Sequence, residues 1–306
     1  MGKTVGSAHE RRESFDCSSP ISLTVGLSSG SLTVLTHDNP TVEVVLTAYG
    51  INNQWVVEDA EVTFDLASAS LTIQSPNQPL LHVSGQHQPR FIAAFMSLPA
   101  PRRKAAFVAG SSDVDVQITL PAHSSVVART VSGDVDLSGS MGALTLETTS
   151  GDVRVAGDLG ELVATSTSGD VVVDSAPRVA AIRATTRSGD VRLNATVGDC
   201  EVSSRSGDIV VRAVEARAQL VSTSGDINVG IDGCGDFAAT STSGDIGVRV
   251  RTGLDIDLAA NSRSGDITNK IPLDGGGDGE EPTQWSSIRL STTSGDIRIN
   301  RAVSGH

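Results

Sequence analysis

The sequence predicts an all-β chain, a single-stranded, right-handed parallel β-solenoid (β-helix) with coils of ~18–20 residues. Three observations predict it. The tetrapeptide Ser-Gly-Asp-(Val/Ile) occurs nine times, with its serine at 132, 150, 168, 188, 206, 224, 243, 264 and 294. The residues around it alternate with a period of two on both sides, which is the signature of strands. The composition suits many short strands and tight turns, with 31 glycines but only nine aromatics among 306 residues. A unit with one apolar face cannot bury it alone, so units at a fixed period stack and bury a continuous core.

The alternation is regular. Six and four residues before each motif serine the side chain is apolar, as at Leu144 and Leu146 or Phe237 and Ala239. Two before it stands a Ser or Thr in every unit, from Thr130 to Thr292. Three after it lies the Val or Ile, and five after it another apolar residue, Asn269 being the exception. No helical period is present. Glycine in the motif is expected to supply a positive φ at a sharp corner, and the aspartate to bond nearby backbone N–H groups. The column of hydroxyls is expected to point inward and bond from coil to coil.

The same frame reaches toward the N-terminus in weaker form. Around Ser29, Ser68 and Ser111 apolar residues recur at matching offsets, for example Leu23, Val25, Leu32 and Val34. Residues 15–120 are therefore read as degenerate coils and a capping end, and 121–306 as the regular array, in one domain of 15–306. Residues 1–14 are read as a flexible N-terminus. Two segments break the period, Pro76 to Lys104 and the acidic, glycine-rich Asp274 to Gln284. Both read as loops leaving the stack.

The Ser-Gly-Asp-Val units resemble the bacterial adhesin-like β-strand-repeat family of unknown function. The opening Pro20-Ile21-Ser22-Leu23-Thr24-Val25, the Leu120-Pro121-Ala122 step and the final Thr293-Ser294-Gly295-Asp296-Ile297 are similar to its actinobacterial members. The resemblance covers nearly the whole chain. It implies a surface-binding role and carries no shared catalytic motif, so it transfers no functional residue.

Charge and cysteine usage narrow the classes further. A net charge of −13 is unsuited to nucleic acid, which calls for a concentrated Lys/Arg face. Cys17, Cys200 and Cys234 form neither a disulfide framework nor a CxxC pair, and Cys200 falls on an apolar inward position. The polar first residues lack a signal-peptide core and no stretch is long enough for a membrane span. These features point to the cytoplasm. The histidines show no metal spacing and Gly275 to Gly277 are not a phosphate loop, so no cofactor or metal is expected.

The function expected is a non-catalytic, adhesin-like β-solenoid scaffold or protein-binding module. The alternative is a polysaccharide-active β-helix enzyme, and a third reading is a calcium-stabilised roll. A regular face repeats the same chemistry, so a specific contact belongs where the repeat breaks. The candidate partner-binding residues are Phe91, Ile92, Phe95 and Met96 in the first break and Trp285 beside the second. Their occupant would be a protein partner or a second copy.

The stacked aspartates raise an electrostatic question. Carboxylates about 5 Å apart repel by about 0.8 kcal/mol in water and ~3 kcal/mol at an effective dielectric of about 20. Calcium could compensate, but the unit holds one Ser-Gly-Asp instead of the doubled Gly-Gly-x-Gly-x-Asp of calcium rolls. Turn hydrogen bonds and nearby arginines such as Arg187, Arg205 and Arg263 are the expected compensation. Thermal melts in calcium and in chelator should therefore coincide. A calcium-dependent rise of many degrees would establish the roll, because a ligand that binds only the folded state stabilises it.

Overall fold

A computed structural model describes residues 8–17, 19–49, 54–76, 113–174, 178–271 and 285–302. The N-terminal third contributes β1 (Ala8–Asp16), β2 (Ser22–Ser29), β3 (Leu32–His37), β4 (Thr41–Tyr49), the short helix α1 (Gln54–Glu58), β5 (Glu61–Asp65), β6 (Ser70–Gln74) and β7 (Val114–Pro121). The motif units begin with β8 (Ser124–Ser132), β9 (Val135–Ser138), β10 (Met141–Thr148), β11 (Val153–Ala156), β12 (Leu159–Ser166) and β13 (Val171–Asp174). They continue with β14 (Arg178–Thr186), β15 (Val191–Ser204), β16 (Ile209–Ser222), β17 (Ile227–Ile231), β18 (Asp236–Ser243) and β19 (Ile246–Val250). The last are β20 (Asp255–Ser264), β21 (Ile267–Asn269), β22 (Trp285–Ser294) and β23 (Ile297–Arg301). The 23 strands of the described residues join one hydrogen-bonded sheet.

The chain is all-β, and its sheet is mixed. The strand before each Ser-Gly-Asp corner pairs in parallel with its counterpart one unit along, as β8, β10, β12 and β14 do. The strand after the corner does the same, as β9, β11 and β13 do. Registers match the motif frame, with Leu144 opposite Leu162 and Val153 opposite Val171. Leu144, Leu146, Val153 and Leu162 are all buried, and so are Cys200 and Phe237. A third buried column, Met141, Leu159, Val179 and Val197, stands nine residues before the serine. Further along it continues through Val214 after register shifts, and this variable spacing hides it from a fixed-offset reading.

Among the described residues three pairings are antiparallel, β1 with β4, β4 with β7 and β5 with β6, so the purely parallel expectation fails at the N-terminal end. Residues 8–14, expected to be flexible, run into β1. The Ser29 unit is a true rung, with β2 on β8 and β3 on β9. The Ser68 and Ser111 frames are not two units. Leu71 and Ile73 lie opposite Leu23 and Val25, while Val116 and Ile118 lie opposite Leu32 and Val34. One unit is thus assembled from β6 and β7, which the first break separates in sequence. Val62 and Phe64 belong to the hairpin strand β5, and Leu66 is exposed in its turn. The register around Ser111 is off by two, since Ser31 faces the level of Asp115.

Both ends depart from chain order. The Ser29 unit lies between the later β6–β7 unit and the Ser132 unit. At the other end β18 pairs with β22, and β22 in turn with β20. The Ser294 unit is therefore inserted between those of Ser243 and Ser264. The Ser29 and Ser294 units, first and last in the sequence, are thus each held on both sides, where stacking in chain order would leave them at the ends to fray.

The corner glycine is required for a different reason from the one its residue type suggests. Positive φ among the described glycines occurs at Gly30, Gly139, Gly157 and Gly253, and none of these is a motif glycine of the nine units. A Cβ on Gly169 would instead meet the Gly151 carbonyl oxygen at 2.0 Å, and one on Gly207 the Gly189 oxygen at 2.1 Å. Successive corners approach backbone to backbone. The buried hydroxyls seal the same place: Gly169 N–H donates to Ser166 Oγ at 2.8 Å, and Thr186 Oγ1 donates to the Gly189 carbonyl at 2.8 Å.

Replacing Leu146 by Asp should unfold the neighbouring units, because it buries an unpaired charge. Loss of the cooperative melt measures this. Gly169→Ala should lower the melting temperature by several degrees, since the added methyl forces two backbones apart at ~1–3 kcal/mol. An unchanged melt would mean the corners can spread freely.

Candidate functional site: a polar groove beside the aspartate ladder

The motif aspartates form a ladder in which each carboxylate is bonded to the next rung. Asp152 N–H donates to Asp134 Oδ1 at 3.0 Å, Asp170 N–H to Asp152 at 3.0 Å, and Asp226 N–H to Asp208 at 2.9 Å. The ladder follows the spatial order of the units, so Asp296 N–H donates to Asp245 at 2.8 Å and Asp266 N–H to Asp296 at 3.0 Å. Arginines four residues after the serine neutralise several rungs. Arg192 pairs with Asp190 at 2.6 Å and Asp170 at 3.2 Å, Arg298 with Asp296 at 2.6 Å and Asp245 at 2.8 Å, and Arg154 with Asp152 at 2.9 Å. Arg187, Arg205 and Arg263, the expected partners, make none of these ion pairs. Among the described residues no group of three His, Cys, Asp or Glu side chains could hold a metal ion.

The ladder borders a groove across β17, β19 and β23. Outward positions on adjacent strands there are Asn228, Gly247 and Arg298, in register. The missing side chain at Gly247 opens a depression of about 460 Å³ lined also by Asp226, Asp245, Arg249 and Asn300. Asp245 is held below the usual carboxylate range, first by the Asp296 N–H and then by Arg298. Arg298 is correspondingly raised by Asp245. A carboxylate that is kept ionised, with one oxygen on a backbone N–H and the other on a guanidinium, is a poor proton donor. The groove offers charged and amide hydrogen-bonding groups, principally Arg249, Asn228 and Asn300.

A second depression, of about 360 Å³, lies where the ladder is interrupted near Gly30, Tyr49, Asp113 and Asp134. Here Ser31 takes the place of a motif aspartate. Asp115 accepts from both its N–H at 2.9 Å and its Oγ at 2.8 Å. Among the described residues neither depression is lined by a Cys, His or Lys. Cys200 is buried, which pushes its thiol up to about 12, and this fits the inert core role expected of it.

Trp285 stands at the start of β22, opposite Asp255, and is 56% exposed. Phe91, Ile92, Phe95 and Met96 lie outside the described residues, as does the second break at 274–284, so only Trp285 of the candidate partner-binding set is placed. The groove residues were absent from that set. Gly247 replaces larger residues at its offset, and that is their one signal in the sequence. Its neighbour Arg298 is far along the chain and reaches it only through the inserted unit.

Among the described residues no helix is long and apolar enough to cross a membrane. No curated protein matches the chain. Solved structures similar to it include a "putative adhesin" from Bacteroides fragilis, at 14% identity and a TM-score of 0.46, covering 96% of this chain and 97% of that one. A "putative adhesin" from Parabacteroides merdae matches at 9% identity and a TM-score of 0.40, covering 97% and 98%. A "putative lipid binding protein" from Parabacteroides distasonis matches at 14% identity and a TM-score of 0.39, also covering 97% and 98%. The sequence pattern of one family matches residues 22–197 and again 194–300, so that nearly the whole stack is accounted for: the chain belongs to the Toastrack DUF4097 family.

Proposed function

We propose that the chain is a non-catalytic, adhesin-like binding scaffold whose repeated units form a parallel β-solenoid. One observation carries the reading: the charged groups that converge in the groove are engaged in holding rungs together. Asp245 is occupied by Asp296 N–H and Arg298, and Arg298 is shared between two aspartates. Such groups make a stiff surface and leave Arg249, Asn228 and Asn300 as the contacts for a protein partner. The enzyme reading has one supporting feature, two carboxylates beside two arginines in a depression. Against it, Asp245 is kept ionised by the Asp296 N–H and Arg298, which suits a structural carboxylate better than a proton donor.

Incubation with polygalacturonate or alginate should release no reducing ends above buffer. Release that disappears in Asp245→Asn would overturn the scaffold reading in favour of a polysaccharide-active enzyme. A protein captured by the immobilised chain should be lost by the Arg249→Ala, Asn300→Ala double variant with the melting temperature within a degree or two.

A further inference from the structure

The two ends of the stack are finished differently. At the N-terminal end the outermost unit is covered, since β5 pairs with β6 and β4 with β7. Helix α1 buries Val56 and Val57 beside them. The strands at the margin there are β5 and β1, and β1 carries inward-facing charge: Arg11 donates to the Ala60 carbonyl at 2.8 Å and the Val57 carbonyl at 3.2 Å. Inward charges of this kind are how proteins blunt a sheet edge.

Among the described residues the opposite end has no such device. β20 and β21 pair on one side only, with β22 and β23, and among the described residues no strand pairs their outer edge. Ile256, Leu258 and Ala260 are half-buried and Ile267 is 46% exposed, although their counterparts in the inner units, such as Leu220 and Ile227, are buried. A ten-residue edge strand with an apolar inward face is a template for another strand.

We propose that this edge is closed by a second copy of the chain, with β20 pairing antiparallel to β20 of the other copy across a two-fold axis at Ala259. The charge order along the strand favours this occupant. β20 begins with Asp255 and Asp257 and ends with Arg263. Antiparallel pairing centred on Ala259 puts Asp255 opposite Arg263 of the second copy, and symmetry repeats the pair. Asp257 then meets Asn261. On the inward side Leu258 meets Ala260 and Ile256 meets Ser262. An axis normal to the sheet keeps both inward faces on one side, so the apolar columns run on across the junction. Opposite charges facing each other across a strand pair stabilise it. Head-to-tail stacking is blocked by the covered N-terminal end, so the contact is isologous and stops at a dimer.

Sedimentation of the full chain should show a dimer that dissociates on dilution. Leu258→Lys should sediment as monomer while keeping the wild-type circular dichroism. Arg263→Asp should weaken association at least tenfold, and the Asp255→Arg, Arg263→Asp double variant should restore it. Cysteine pairing then reads the register. In a Cys234→Ser background, which removes the exposed native thiol, Ala259→Cys should form a covalent dimer on mild oxidation. Residues opposite in an antiparallel pair have Cα atoms about 4.5–5.5 Å apart, within disulfide reach. Asn261→Cys, displaced from the axis, should cross-link far less. A wild-type chain that stays monomeric at high concentration overturns the proposal. So does a dimer indifferent to Arg263→Asp, or one that cross-links equally at both cysteine positions. Should Leu258→Lys fail to fold, the charge exchange and the cysteine pair decide the matter.

Discussion

Parallel strands in one ladder sit about 4.8 Å apart, and the corners joining them must keep that spacing in a place where the backbone turns. Most of the local chemistry follows from this. A Cβ at the Gly189 corner would come within 2.1 Å of the Gly169 carbonyl oxygen, so the corner takes glycine for closeness and not for handedness. Corners so close also bury the side chain two residues before the serine, and a buried polar group needs a partner. Thr186 finds one in the Gly189 carbonyl and another in Ser204 Oγ at 3.0 Å. The aspartates are brought to the same spacing. Their repulsion is answered rung by rung, by the next aspartate's N–H and by arginines that span two carboxylates.

Because each unit satisfies its neighbours, the cost of the repeat collects at the ends. The N-terminal end is finished by leaving the repeat, with antiparallel strands, a helix turn and an inward arginine. The C-terminal end remains in the repeat, and there the inward positions Leu258, Ala260 and Ile267 lose their cover. Asn269, the one polar residue at its offset, lies in this outermost unit and is exposed. A polar residue is tolerated there because, among the described residues, no further rung of the same chain buries it.

The groove arises where two such constraints meet. Gly247 leaves a gap in the outward row only because it lies between Asn228 and Arg298. Had the units stacked in chain order, its neighbour on that side would be Thr268. The insertion of the Ser294 unit thus decides which charges share the depression. Both the backbone donor and the arginine that hold Asp245 below the usual carboxylate range come from that unit.

The strands, their inward faces and their register within the regular array were legible from residues 121–250, because period-two alternation and a fixed motif bind every side chain to a face. Leu144, Val153, Cys200 and Phe237 lie where that reading puts them. The hydroxyl column was legible for the same reason. The order of the terminal units, the fusion of the Ser68 and Ser111 frames into one, the antiparallel cap and the make-up of the groove were decided by the tertiary structure. Every unit carries nearly the same edge, so local sequence specifies how a rung pairs without naming its neighbour. That choice depends on which long connection closes and which apolar end it covers, and both are properties of the whole stack.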